Sequence, residues 1–129
     1  MQYSAGNEPY KIFIDTVFVG EDLLITLSGG EKPHIGAVAA ASPYPSSAEP
    51  LKLTASASVI TYSGHKEDEV ARSLALRVSS LLGVKTVVVA GIHIDNATEN
   101  DLKLLLENVE KAVSCLLDDL KNSSSIWTA

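Results

Sequence analysis

Apolar side chains return at every second position through residues 11–62, and at every third or fourth position from residue 70 onward. The first period belongs to strands with one buried face and the second to helices. The chain is therefore expected to lay down strands first and helices afterwards. Lys11 to Val19 sets Ile12, Ile14, Thr16 and Phe18 on one side and Phe13, Asp15, Val17 and Val19 on the other. Gly20-Glu21-Asp22 offers a turn and Leu23 to Leu27 a second strand, so the pair reads as an antiparallel hairpin. Ser28 to Pro33 is a glycine-rich loop, and Ile35 to Ala41 reads as a strand of small apolar residues packed on both faces. Pro43 to Pro50, with three prolines, reads as an irregular connection, and Leu53 to Tyr62 as a fourth strand. These four strands are expected to form a meander, with residues 1–9 frayed.

The period changes after Ser63. Val70, Leu74, Val78 and Leu81 recur at helical spacing, and Ala71, Ala75 and Leu82 widen the stripe. Glu67, Asp68 and Glu69 fall where the helix dipole favours acids, and Gly83 is placed to stop the helix. Thr86 to Ile94 is an unbroken apolar run rich in β-branched residues, expected as a central strand buried on both faces. Thr98 and Asp101 have the spacing of a capping pair for a last helix. Leu102, Leu105, Leu106, Val109, Val113, Leu116, Leu117 and Leu120 would form that helix's apolar face, with Asn122 to Ser125 ending it. The order ββββαβα predicts an α+β fold: a largely antiparallel sheet of five or six strands with both helices on one face. Residues 1–129 read as a single domain, with 1–9 and 122–129 flexible.

Composition narrows the function classes. Aromatics make up 5% of a chain that is 46% hydrophobic, so the core must be aliphatic. A net charge of −6, without a basic cluster, argues against nucleic-acid binding, which needs clustered Lys and Arg to neutralise phosphates. The lone Cys115 has no partner for an internal disulfide and is expected as a buried apolar filler. There is neither a secretory pattern nor an apolar run near the ~20 residues of a bilayer span. The expectation is a soluble, cytoplasmic protein.

All three histidines lie beside glycine, at ends of strands or the start of a helix: His34 in Gly29–Gly36, His65 in Gly64-His65-Lys66, and His93 in Gly91–Asn96. Loops at strand ends commonly carry binding chemistry, so convergence on one pocket is the reading to test. Gly64-His65-Lys66 opens a helix, whose free N–H groups suit a phosphate or carboxylate, with Lys66 adding charge. The same residues could equally cap the helix and face water. Pro33 stiffens the approach to His34, although a hairpin loop would explain it too. His93 and Asp95 alternate onto the same side of a strand, while Asp95 or Asn96 competes with Thr98 for a capping role. A three-histidine zinc site matches in number but not in spacing. No Gly-x-Ser-x-Gly or nucleotide-triphosphate loop occurs.

Gly-Gly-x-x-Pro-His-Ile-Gly-Ala, then Gly-His-Lys-Glu-Asp, then Ala-Gly-Ile-His-Ile-Asp-Asn, in that order across residues 10–120, resemble the LpdD-like family of small prenylated-flavin chaperones. The resemblance implies a non-catalytic accessory protein that binds prenylated FMN as cargo and delivers it to, or matures, a gallate-type decarboxylase of the UbiD class. It further implies a fold like that of proteasome-assembly chaperones, with a homodimer or higher homo-oligomer, and no metal. Gly29, Gly30, His34, Gly36, Gly64, His65, Lys66, Gly91, His93, Asp95 and Asn96 match the family pattern. The expected cofactor-binding residues are Gly29, Gly30, His34, Gly36, Gly64, His65, Lys66, His93, Asp95 and Asn96. The phosphate would rest on Gly64, His65 and Lys66, and His34, His93 and Asn96 would meet the flavin's polar edge or ribityl chain. Only Tyr44, Tyr62 and Trp127 are available to stack on the ring, so aliphatics would have to serve. Two other functions remain open. One is an enzyme using the three histidines as acid, base or metal ligands; the other is an assembly module that binds protein and no cofactor.

Overall fold

A computed structural model describes residues 1–49, 51–62 and 67–127, with side chains as far as residue 122. Its elements are β1 (Gln2–Ala5), β2 (Ile12–Val19), β3 (Asp22–Gly30), β4 (Ala37–Pro45), β5 (Leu53–Thr61), α1 (Asp68–Leu82), β6 (Thr86–His93) and α2 (Glu99–Trp127). The sheet order is β1-β2-β3-β6-β4-β5, and among the described residues β3–β6 is the only parallel pairing. α1 lies on β4, β5 and β6, α2 lies on β1 and β2, and the helices touch each other, so both occupy one face. The α+β class, the mostly antiparallel sheet and the β2–β3 hairpin are as the pattern predicts.

The meander is not. β6 enters between β3 and β4, parallel to one and antiparallel to the other. A parallel neighbour of β3 requires a long crossover, which β4, β5 and α1 together provide. Residues 1–9 are not simply frayed, because Gln2–Ala5 pairs with β2 as an edge strand. Pro43 and Pro45 belong to β4 rather than to a loop. Beyond Ala41 that strand pairs with β5 alone, so a missing proline N–H leaves no second ladder broken. α2 continues past Asn122–Ser125 to Trp127.

Ile12, Ile14, Leu23, Ile25, Leu27, Ala37, Ala39, Val88 and Ala90 form the sheet's side of the core, facing Ala71, Leu74, Ala75, Val78, Val113 and Leu116. The opposite sheet face has no second layer among the described residues. Val87 and Val89 are therefore half-buried, where the run Thr86–Ile94 suggested burial on both sides. Cys115 is exposed, contrary to the filler expectation. It lies outside the inward stripe of Leu105, Val109, Ala112, Val113, Leu116 and Leu120. Leu102 and Leu106 also miss that stripe and are about half exposed, at 51% and 53%.

Caps set the helix ends. Gly83 adopts the left-handed conformation, and its N–H donates to the Ser79 carbonyl at 2.9 Å. Thr98 and Asp101 form a reciprocal box: the Asp101 N–H donates to Thr98 Oγ1 at 3.1 Å, and the Thr98 N–H donates to Asp101 Oδ2 at 2.9 Å. These bonds, with one from the Tyr10 hydroxyl at 2.7 Å, hold the Asp101 carboxyl below its ordinary range. Thr98→Ala should cost about 1 kcal/mol, read as a lower urea midpoint at unchanged slope. Tyr3 ties β1 to α2 through its hydroxyl donated to Asp119 at 2.9 Å, and burial with that acid pushes the phenol up to about 12.

Candidate functional site

Parallel pairing of β3 and β6 brings two of the three sequence motifs to one end of the sheet, with Gly30 opposite His93. The chain from β3 to β4 then crosses the end of β6. The N–H groups of Glu31 and Lys32 donate to the His93 carbonyl at 2.8 and 3.2 Å, and the Gly36 N–H donates to the Ala90 carbonyl at 2.9 Å. This path needs glycine underneath: a Cβ on Gly91 would overlap the His34 carbonyl oxygen. Gly36 is equally restricted, because a Cβ there would come within 2.5 Å of Glu67 Oε2. Gly29 and Gly30 close β3 beside Ile92 and His93. At all four, the space left by the absent side chain is taken by the chain itself.

The crossing sets the rings of His34 and His93 edge to face, with centroids 6.1 Å apart at 83°. His34 Nδ1 donates to the Lys32 carbonyl at 2.9 Å, and its Nε2 lies 3.4 Å from Glu67 Oε1. His93 Nε2 donates to Asp95 Oδ1 at 2.9 Å, while Lys32 Nζ meets Asp95 Oδ2 at 2.8 Å. The Asp95 N–H in turn donates to Glu31 Oε1 at 3.0 Å. Lys32, and secondarily His93, hold the Asp95 carboxyl below the usual carboxylate range. The Lys32 ammonium is raised, chiefly by its bond to Asp95. Both charges are water-exposed, so this pair orients more than it stabilises. Asn96 follows in the left-handed region, φ 53°, a conformation asparagine tolerates, and turns the chain toward α2.

Lys32, His34, Ile35 and His93 line a cavity of about 330 Å³. Larger hollows of about 700 Å³ along α2 and about 530 Å³ between the helices have no histidine in their walls. Of these three, the smaller one combines an ammonium and two imidazoles with an aliphatic wall, the mixture that small-molecule sites use. His34, His93 and Asp95 are thus brought together, while Gly64, His65 and Lys66 lie outside the described residues. Among the described residues no group of three or more His, Cys, Asp or Glu is arranged to hold a metal ion. None of the described helices is long and apolar enough to cross a membrane.

Sequence reasoning missed Lys32, Glu31 and Glu67. Lys32 and Glu31 stood inside the first motif as variable positions. Glu67 stood inside the second, where its nearness to a helix start suggested only a dipole role. Its carboxylate instead turns away from its own helix toward His34 and β6.

Fold and site together define a two-layer α+β domain with a histidine-lined cavity at one end of its sheet. The chain belongs to the family of prenylated flavin chaperone LpdD-like domains, whose profile matches residues 6–121. It is similar to Protein LpdD of Lactiplantibacillus plantarum, with 29% identity over 113 residues, covering 84% of this chain and 71% of that protein.

Proposed function

We propose that this protein is a non-catalytic carrier of prenylated FMN that passes its cargo to a UbiD-class decarboxylase in the cytoplasm and acts as a homo-oligomer. The observation that carries the reading is the cavity lined by Lys32, His34 and His93, in a chain of this family. Its volume, about 330 Å³, lies at the low end for small-molecule sites, so it would take one part of a flavin rather than enclose it. His93, which meets Asp95 through Nε2, would hydrogen-bond the polar edge or ribityl chain through Nδ1, beside Asn96, and His34 would pack its ring against the cargo. Ile35, 60% exposed, is the aliphatic surface on which the ring would rest in place of an aromatic. Gly64, His65 and Lys66 would hold the phosphate. Gly30 would contribute by letting the β3–β4 loop close on β6, Gly29 by letting Lys11 and Ile12 lie close, Gly36 by leaving room for Glu67, and Asp95 by fixing Lys32 and His93.

A carrier binds reversibly and has no chemical step to accelerate. Rings bonded to a carboxylate and to a backbone carbonyl suit that task, since they are held in fixed directions. The test is a fluorescence titration of prenylated FMN, with FMN as control, into wild type and His93→Ala. Saturable binding that prefers the prenylated form and weakens about tenfold in the variant is the expected result, about the worth of one hydrogen bond. No binding of either flavin to folded wild-type protein would overturn cofactor carriage.

A further inference from the structure

We propose that Glu67 is the positioning residue of the histidine cavity, holding His34 and the end of β6 in one arrangement without itself touching the ligand. The inference deepens the flavin reading and rests on it. β4 begins at Ala37, opposite Ala90, so β6 beyond Ala90 has lost its antiparallel neighbour. The Ile92 N–H faces that gap. A buried donor left there would be costly, and a carboxylate takes the place of the missing strand: Glu67 Oε1 accepts from Ile92 at 3.1 Å.

Glu67 occupies the N-cap position of α1 yet makes no side-chain bond to its own helix. An N-cap side chain ordinarily bends back onto the first turn; this one reaches across to two other segments. The oxygen that receives Ile92 also lies 3.4 Å from His34 Nε2, and the Lys32 carbonyl accepts from His34 Nδ1 on the other side of the ring. One ring nitrogen is bonded and the other faces the carboxylate, which sets the ring's plane against His93. With only 8% of its surface exposed, Glu67 has little access to water. A buried carboxylate needs such partners, and the positive end of α1 adds to them. Each motif supplies one component of this junction: His34 the first, Glu67 the second, Ile92 the third. Gly36 fits the same account, since a side chain there would strike the carboxylate.

The test is a double-mutant cycle on flavin affinity, using prenylated FMN with wild type, Glu67→Gln, His34→Ala and the pair combined. Glutamine keeps an oxygen for the Ile92 N–H but loses the charge facing His34. Amide hydrogen exchange at Ile92 is followed in the same proteins and in Glu67→Ala. The expected result is about tenfold weaker binding for Glu67→Gln and for His34→Ala, with the combined variant no weaker than His34→Ala alone. Ile92 should stay protected in Glu67→Gln and exchange faster in Glu67→Ala. Unchanged affinity in Glu67→Gln, or losses that simply add, would overturn the positioning role while leaving the flavin reading intact. If wild type binds neither prenylated FMN nor FMN, the flavin reading itself fails. The junction then stands on exchange alone, and equal Ile92 exchange in wild type and Glu67→Ala overturns that too.

Discussion

Gly91→Ala should destabilise the protein by about 3 kcal/mol, the upper part of the range for overpacking a tight interior. One methyl group has this effect because of what lies against it. Gly91 is buried in β6 opposite Ser28, and the nearest atom to a Cβ there is a backbone oxygen, that of His34. A side chain in the way could rotate; a carbonyl can move only with its loop. That loop is tied on both sides of the clash, by Glu31 and Lys32 to the His93 carbonyl and by Gly36 to the Ala90 carbonyl. Either the loop lifts and those bonds are lost, or β6 shifts against β3. A lifted loop carries His34 away from both His93 and Glu67, so flavin affinity should fall more than tenfold even where the variant remains folded. Urea unfolding gives the first quantity, and a flavin titration below the transition gives the second. A variant as stable as wild type would mean that the loop does not press on β6 as described.

How much of this was legible beforehand depended on range. The Thr98–Asp101 box, the Gly83 stop and the β2–β3 hairpin are local: each is set by residues a few positions apart, and each was read from spacing. The position of β6 is not local. Its apolar run at Thr86–Ile94 called for a central place, and that demand already conflicted with four strands in a meander, which would have left β6 at an edge. Pro43 and Pro45 read as loop residues because proline breaks ladders, and only the knowledge that β4 lacks a second neighbour there makes them acceptable. The cavity was legible in part. His34, His93 and Asp95 stood out by type and by their neighbouring glycines. Glu67 did not, because an acid at a helix start already has an ordinary explanation, and its reach to Ile92 depends on where β4 begins.

The same dependence of site on framework makes Ala39→Leu the second large effect. Ala37, Ala39 and Ala41 point from β4 toward α1, which answers with Ala71 and Ala75, and all five are buried. Small side chains on both surfaces let the helix sit close to the sheet, which is why a strand read as unusually poor in bulk lies under a helix. Ala39 pairs with Val59 on one side and Val88 on the other, so added volume has no lateral escape. Leucine there should cost about 2–3 kcal/mol as α1 is pushed outward or side chains leave their rotamers. Ala40→Leu, on the exposed side of the same strand, should stay within about 0.5 kcal/mol, which separates packing from strand propensity. α1 begins immediately after Glu67, so lifting the helix should also draw that carboxylate from the Ile92 N–H and speed exchange there. Urea unfolding and amide exchange on the two alanine variants separate the outcomes. Destabilisation with unchanged Ile92 exchange would mean that the core absorbs the leucine away from the helix start. Faster exchange at Ile92 would mean that the alanines of β4 set the height at which α1 delivers its first carboxylate to the cavity.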